Sequence, residues 1–438
     1  MENEIYIDNS FTRDVGFQVI KKWLSNNSQC LENKDYFLNL KPSKDKKFLE
    51  SEFQHTDEII ASIQRKENLP HVKIQSMNKI IQLLEIQDYM LQAKEIIEIR
   101  RLLKYYISLN KKIKGKHFEL WCQIIKTYNQ LNLVINKINH VFDESGNIKD
   151  NASNNLKTIN KSIKNIHKNI EKKIETELKK YSNLGYLKDN KIIYKADKAT
   201  LPVISSYKNK VKGIVDSYSA TGQTSFMHPF SVLELNNDLN EALISKEKEI
   251  RKILKELTSK IAIEKHLIND INRKIVYYDT HYTKSLLAIY LNSNTPKFSN
   301  QFNLKEAINP LFTLAKKKYV PLNFCSDNNK TIIISGPNSG GKTIVIKSIG
   351  LYSIMAQSGI HVPAKVVNLP VFNIFLSDIG DKKSLDDDLS TFSAHMKKIS
   401  EITKTSNENS LVLIDEMGTG TDPEIGASLS ISILNRLT

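Results

Sequence analysis

The segment 336–343 has the residue types and spacing of a phosphate-binding loop. It consists of Gly336, Pro337, Asn338, Ser339, Gly340, Gly341, Lys342 and Thr343. Glycines let backbone N–H groups approach a phosphate chain without Cβ clashes, and the N-terminus of a following helix adds partial positive charge. Lys342 can reach the terminal phosphates, and the Thr343 hydroxyl can ligate Mg²⁺. All eight residues are therefore predicted to bind a nucleoside triphosphate.

The loop lies between two patterned segments. The apolar run 331–335 before it predicts a β-strand, and the run 344–357 after it predicts a helix. A chance glycine-rich turn is the alternative interpretation. The motif is specific only in a strand–loop–helix context, and the sequence supplies all three parts. The segment thus predicts the phosphate-binding half of an α/β domain.

A second motif supplies carboxylates. Residues 411–414 are apolar, as a buried strand requires, and Asp415 and Glu416 follow directly. At the end of such a strand Asp415 can hold Mg²⁺ beside Thr343, and Glu416 can polarise an attacking water as general base. Because this Walker B-like segment follows the phosphate loop in the order that a doubly wound domain needs, hydrolysis is favoured over binding alone. Glu416 and Lys342 are the predicted catalytic residues, and Thr343 and Asp415 the predicted metal ligands.

The charge is unevenly distributed along the 438 residues, whose formal net charge is +15. Residues 101–200 contain 21 Lys and Arg against 9 Asp and Glu, whereas residues 301–438 contain 14 against 13. A basic region away from the nucleotide loop is typical of a protein that binds nucleic acid through its phosphates. The alternative is a solvated, lysine-rich helical face without a polyanionic partner.

Cysteine usage and hydropathy exclude several protein classes. Cys30, Cys122 and Cys325 are far apart, which predicts neither a disulfide framework nor a zinc site and favours a reducing compartment. No apolar run is long enough to span a bilayer, and the N-terminal residues lack the apolar core of a signal peptide. We therefore expect a cytoplasmic protein of two to three domains with no membrane partner.

Helical periodicity dominates the first 300 residues. Residues 1–110 read as helices, and an apolar stripe at 156–178 recurs at every third or fourth position. A matching stripe at 239–271 predicts an antiparallel helical arm, with two separate amphipathic helices as the alternative. Between the stripes, residues 186–230 alternate in β fashion, which predicts a small β element. Its lysines are candidates for phosphate contacts or for protection of strand edges.

Four segments carry a resemblance to a known family. They are residues 336–343, Asp-Ile-Gly-Asp at 378–381, Leu-Ser-Thr-Phe-Ser-Ala-His-Met at 389–396, and Asp-Glu-Met-Gly-Thr-Gly-Thr-Asp-Pro at 415–423. Together they are similar to the MutS ATPases, and most similar to the branch often called MutS two, which lacks the mismatch-reading domain. Residues 222–229 resemble the start of the returning lever helix of that family.

The resemblance implies a fold class. It implies a multidomain protein with an elongated all-α lever or core region over residues 1–300, which contains a clamp insertion at approximately 141–230 with the small β element. A returning lever helix would occupy 231–290. Residues 301–438 would form an α/β P-loop ATPase domain of the ABC type, incomplete at its C-terminus.

The resemblance also implies a shared nucleotide site. In the family, a Ser-Thr segment completes the partner subunit's site across a dimer, and Ser390 and Thr391 would take that role here, in trans. The implied cofactors are ATP and Mg²⁺. The implied partners are a second copy of the chain and double-stranded or branched DNA. The branch is also associated with collided ribosomes and, through a C-terminal Smr domain, with nuclease action.

Two features depart from the family pattern. The sequence begins directly in lever-like helices, without a mismatch-reading domain. It stops about one helix after Glu416, before the later strand, switch histidine, dimerising helices and Smr domain of the family. We therefore expect a truncated chain that binds ATP poorly or hydrolyses it slowly. Endonuclease activity would require a nuclease domain in a longer protein.

The leading hypothesis is a DNA-binding ATPase of the MutS type in DNA repair or recombination control. ATP binding would close two ATPase halves, and lever helices would move a clamp that embraces branched or mismatched DNA. The alternative is a ribosome-associated ATPase that senses collided ribosomes, because phosphate contacts do not distinguish the two partners. A structural ATPase of the SMC type and a transporter ATPase are disfavoured, since both need a Leu-Ser-Gly-Gly segment that the sequence lacks.

Overall fold

The computed structural model describes residues 5–114, 117–195, 198–327, 329–337, 340–380, 388–418 and 422–437. The chain forms two compact units. The first unit comprises Met1–Ser76, Lys104–Thr127 and Asp270–Thr438, and the second comprises Met77–Leu103 and Tyr128–Asn269. No helix in the described ranges is both long enough and apolar enough to cross a membrane.

Helices make up most of the regular structure. In chain order they are α1 (Phe11–Asp14), α2 (Phe17–Asn27), α3 (Leu31–Leu38), α4 (Lys46–Gln64), α5 (Asn78–Leu83), α6 (Ala93–Ile113), α7 (Glu119–Ile124), α8 (Gln130–Val141), α9 (Asn154–Asn183), α10 (Phe230–Ala262), α11 (Lys265–Tyr290), α12 (Pro310–Leu314), α13 (Lys342–Gln357), α14 (Asp388–Thr405) and α15 (Pro423–Leu437). A 3₁₀ turn spans Ser205–Lys210.

The strands are short. They are β1 (Tyr6–Ile7), β2 (Ile193–Lys195), β3 (Lys198–Ile204), β4 (Gly213–Tyr218), β5 (Thr224–Pro229), β6 (Lys297–Phe298), β7 (Asn303–Ala307), β8 (Leu322–Cys325), β9 (Val366–Leu369), β10 (Ile374–Asp378) and β11 (Ser410–Ile414). The first unit contains a parallel sheet of order β1-β10-β11 and a mixed sheet of order β6-β9-β7-β8.

The parallel sheet positions the carboxylate motif. β10 and β11 run side by side, and their last rung pairs Asp378 with Ile414. Parallel strands end at the same edge of a sheet, and ligands of open α/β sheets bind at that carboxyl edge. Asp415, the next residue after β11, therefore lies at the edge where a nucleotide would be expected.

Residues near the N-terminus complete this sheet and its core. β1 pairs with β10, and the fully buried Phe11 ring lies 5.1 Å from the ring of Phe375. Asp8 accepts a hydrogen bond of 2.5 Å from Lys398 Nζ on α14. The helical interpretation of residues 1–110 missed β1, because two residues are too few to show strand alternation.

The predicted strand at 331–335 is not formed, and that prediction was wrong. The side chains of Ile332 and Ile333 are 42% and 74% exposed. A strand needs a neighbour that takes up its backbone N–H and C=O groups. No strand in the described part of the chain pairs with this segment, and β11 is the outermost strand of its sheet. An apolar run alone supplies no such partner.

The second unit contains the antiparallel helical arm predicted from the two apolar stripes. α9 packs along α10. At the start of α9, Glu249 of α10 accepts hydrogen bonds from Ser153 Oγ (2.7 Å) and Asn155 Nδ2 (2.8 Å). At the opposite end of α9, the Tyr181 hydroxyl accepts a hydrogen bond of 3.1 Å from the backbone N–H of Lys212. The segment 231–290, predicted as one helix, contains α10 and α11, which are separated at residues 263–264.

The predicted β element is also present in the second unit. It is an antiparallel sheet of order β2-β3-β5-β4. Its inner face packs against α9 and α10 through a small core. The core consists of Ile174, Tyr181, Ala199, Leu201, Val203, Val211, Met227 and Val232.

A buried polar network lies between α4 and α11 in the first unit. The Glu52 carboxylate lies 3.4 Å from both His281 Nε2 and Lys284 Nζ, and it accepts a hydrogen bond of 2.8 Å from the Tyr277 hydroxyl. Burial alone would raise the pKa of Glu52, but His281 and Lys284 hold it below its usual value. Burial lowers the pKa of His281 to about 4, although Glu52 acts in the opposite direction. His281 is therefore neutral in the folded protein near neutral pH.

This network predicts a loss of stability in mild acid. Between about pH 6.5 and pH 4 the unfolded chain binds a proton at His281 that the folded chain does not, so the free energy of unfolding should fall as pH falls through this window. The expected contribution is about 3 kcal/mol. Urea unfolding across this range should show a smaller pH slope for His281→Gln.

The matched control is His167→Gln, which changes an exposed histidine on α9 and should leave the slope unchanged. An identical slope in wild type and His281→Gln would contradict the assignment.

Candidate nucleotide-binding and ATPase site

The phosphate-binding loop ends on the N-terminus of α13. Gly336 and Gly341 have φ angles of 149° and 78°, which favour glycine because they disfavour a Cβ. Gly341 caps α13, so the unpaired N–H groups of the first helical turn face the loop. Lys342 Nζ donates a hydrogen bond to the carbonyl oxygen of Gly336. The described residues thus form a turn with two glycines of positive φ that leads directly into the first turn of α13.

The two nucleotide motifs meet through one hydrogen bond. The Thr343 hydroxyl, in the first turn of α13, donates to Asp415 Oδ2 at 2.6 Å. Asp415 is itself fixed, because its backbone N–H donates to the carbonyl oxygen of Asp378 at 3.0 Å. Glu416 follows with a φ of 52° and an exposed side chain. The structure therefore brings together the two predicted metal ligands, with the predicted general base next to them in sequence.

These groups fit Mg²⁺ and a triphosphate. Mg²⁺ prefers oxygen ligands, and it is usually bound by one or two carboxylates together with substrate phosphates. A Cβ at Gly336 or Gly341 would meet no heavy atom of the described residues within 4 Å. Within the described ranges no group of three or more His, Cys, Asp and Glu side chains could hold a metal ion. A magnesium site at Thr343 and Asp415 would therefore depend on the nucleotide for further ligands.

A further pair of side chains connects the sheet to α14. His395 Nδ1 lies 3.0 Å from both carboxylate oxygens of Asp378. A Cβ at Gly380 would come within 3.2 Å of His395 Cε1, so Gly380 leaves room for this ring. Asp378 thus contacts α14 with its carboxylate and Asp415 with its backbone carbonyl. The sequence analysis gave Asp378 and His395 no role.

Comparison with known proteins shows which proteins the chain is similar to. Residues 332–438 match the model of MutS domain V. The chain is 34% identical over 427 residues to a protein named Endonuclease MutS2 from Caldicellulosiruptor bescii, which covers 96% of this chain and 54% of that protein. Proteins of the same name from Aquifex aeolicus and Bacillus mycoides are each 32% identical, over 96% and 97% of this chain and 55% of either protein.

The chain is a relative of the MutS2 proteins. These comparisons confirm the resemblance predicted from the four motifs. The chain spans about half the length of the curated relatives that it matches.

The remaining predicted site residues of this MutS2 relative are only partly described. Gly336, Pro337, Gly340, Gly341, Lys342 and Thr343 form the described part of the loop, whereas Asn338 and Ser339 lie outside the described residues. Ser390 and Thr391 lie on the first turn of α14, and their side chains are outside the description. Their role in a partner's site stays a prediction.

Close packing of α13 on the sheet places Thr343 beside Asp415. Gly350 of α13 faces β11, and a Cβ there would lie 2.5 Å from Leu413 Cδ1 and 2.7 Å from Val15 Cγ1. The helix can therefore approach the strand only because position 350 has no side chain.

Gly350→Ala should destabilise the protein although alanine is the better helix former. The added methyl overpacks the core, with an expected loss of about 1–3 kcal/mol in the free energy of unfolding. Urea unfolding measures the loss. Ser432→Ala, at an exposed position of α15, is the control and should change stability little. A Gly350→Ala protein as stable as wild type would show that the helix does not pack this closely.

Proposed function

We propose that this protein is a DNA-binding ATPase of the MutS type, which couples ATP binding and hydrolysis in a dimer to clamp-like binding of DNA in repair or recombination control. The observation that carries the proposal is the 2.6 Å hydrogen bond from Thr343 to Asp415. It joins the phosphate loop to the carboxylate strand, which are the two parts that a P-loop ATPase needs. The proposal includes two domains, a helical region over residues 1–300 and an ATPase domain over residues 301–438.

Each residue of the site has a proposed task. The backbone of the loop and Lys342 bind the phosphates, and Thr343 and Asp415 hold the metal. Mg²⁺, when bound, neutralises charge on the phosphates. Glu416 accepts a proton from the attacking water. Its place directly after Asp415 at the carboxyl edge of the sheet supports this assignment.

The contact between Asp378 and His395 supports a structural link between Asp415 and α14, the helix proposed to contact a second copy of the chain. His395 holds α14 to the end of β10, one strand away from Asp415. Ser390 and Thr391, the proposed contributors to a partner's site, lie on the same helix. A change at the metal ligands would thus reach the helix that carries the trans residues.

Exposed positive charge in the second unit supports a nucleic-acid partner. All eight lysines of α9 are exposed, and they outnumber its three glutamates. They are Lys157, Lys161, Lys164, Lys168, Lys172, Lys173, Lys179 and Lys180. Lysines on a long exposed helix make contacts to phosphates that fix position without reading sequence.

Lys342→Ala tests the coupling between nucleotide and DNA. In wild type, ATP should change the affinity for a branched DNA by about 5- to 150-fold, the usual range of coupling between two sites. In Lys342→Ala this response should disappear while the affinity without nucleotide stays unchanged. Fluorescence anisotropy with labelled four-way junction DNA measures both quantities.

Lys347→Ala, on the same helix but outside the loop, should keep the response to ATP. A Lys342→Ala protein whose DNA affinity still responds normally to ATP would refute the proposal. If the protein co-sediments with ribosomes in preference to binding junction DNA at matched salt, the partner is the ribosome and not DNA.

A further inference from the structure

Three tyrosines of the second unit form a stack that leads from the core towards the surface. The Tyr181 and Tyr186 rings are 6.4 Å apart and inclined by 25°, and the Tyr186 and Tyr207 rings are 4.8 Å apart and inclined by 23°. Tyr181 is buried, whereas Tyr186 and Tyr207 are half-buried. In the part of the chain that the structure describes, no further ring continues the stack beyond Tyr207.

Two lysines lie over these rings and over a fourth tyrosine. Lys210 Nζ is 5.5 Å from the centroid of Tyr207 and 5.8 Å from that of Tyr186. Lys208 Nζ is 5.7 Å from the centroid of Tyr218, a residue of β4 that is 53% exposed. These distances are within the range of cation–π attraction.

The two lysines keep their charge available to an external anion. Across the described residues neither Lys208 nor Lys210 forms an ion pair with a carboxylate, although other lysines of the unit do, such as Lys164 with Asp150. A cation over an aromatic face is held in place without being neutralised. The five residues Tyr186, Tyr207, Lys208, Lys210 and Tyr218 therefore combine flat apolar faces with free positive charge, and we name them the tyrosine–lysine patch.

We propose that the tyrosine–lysine patch binds an unpaired stretch of a nucleic-acid strand, with bases stacked on Tyr207 and Tyr218 and phosphates held by Lys208 and Lys210. The inference rests on the proposed function, which it makes more specific. Proteins that bind single strands combine a basic surface with aromatic side chains on which bases stack. In a duplex the base faces are covered by their neighbours, so exposed tyrosine rings suit an unpaired strand. Forks and flaps in branched DNA contain such unpaired segments.

Packing of the core alone does not account for the patch. Tyr186 and Tyr207 contact the core of the β element, but Tyr218 lies outside that cluster. Substitution of Tyr218 therefore tests the stacking without disturbing the core.

The experiment compares two strands that differ only in their bases. Anisotropy with the full chain measures affinity for an oligothymidylate of about 20 nucleotides, long enough for one site, and for an abasic strand of equal length and charge. Stacking on an aromatic ring should make the thymidylate bind roughly 5- to 150-fold more tightly. Tyr218→Ala should reduce this preference severalfold, Tyr218→Phe should retain it, and Lys208→Met should weaken both strands alike.

Phe230→Ala removes another exposed aromatic ring of the same unit and should retain the preference. Equal binding of the two strands by wild type, or an undiminished preference in a folded Tyr218→Ala protein, would overturn the inference. If duplex and junction DNA still bind in an ATP-dependent manner in that case, the proposed function survives. A wild-type chain that binds no nucleic acid of any kind would refute both this inference and the proposed function.

Discussion

The hydrogen bond between Thr343 and Asp415 is the contact on which the proposed nucleotide site depends. It exists because α13 lies directly against β11, which the missing side chain of Gly350 permits. It also requires that Asp415 continue the backbone pairing of β11 with β10, through its N–H bond to Asp378. Helix α13 and strand β11 are therefore held together by the protein's own contacts, which lowers the entropic cost of placing Thr343 beside Asp415.

Extensive buried charge networks are most evident in the first unit, and a row of exposed lysines is most evident in the second. In the first unit buried charges have partners. Glu52 pairs with Lys284. Asp279 accepts five hydrogen bonds, from Ser28, Gln29, Cys30, Asn33 and His71. Burial alone would raise the pKa of Asp279, but these hydrogen bonds outweigh that effect. The pKa therefore lies below its usual value, and the carboxylate stays ionised. In the second unit the lysines of α9 and Lys210 of the tyrosine–lysine patch are exposed, and Lys208 is half-buried. The exposed lysines of the second unit support the proposed nucleic-acid partner.

Long-range features were the hardest to predict from sequence. Helices α9 and α10 were found because a stripe repeated over many turns is a strong signal, and the glycine loop because its spacing is demanding. The strand expected at 331–335 failed, since an apolar run cannot reveal whether a partner strand lies beside it. Asp378 and His395 were missed because their contact depends on which strand neighbours β11. The stacking of Tyr186 on Tyr207 was likewise missed, because Tyr207 lies in the 3₁₀ turn beyond β3 and reaches Tyr186 only in the folded second unit.

The most direct test of the account is whether Thr343 and Asp415 bind the metal of a nucleotide complex. Calorimetry with an ATP analogue that is not hydrolysed, in the presence and absence of Mg²⁺, measures this. The account predicts that Mg²⁺ strengthens binding to the wild-type chain and that Thr343→Val, which removes the hydroxyl but keeps the shape of the side chain, loses most of this gain. An affinity that is the same with and without Mg²⁺, or an unchanged magnesium effect in Thr343→Val, would contradict it.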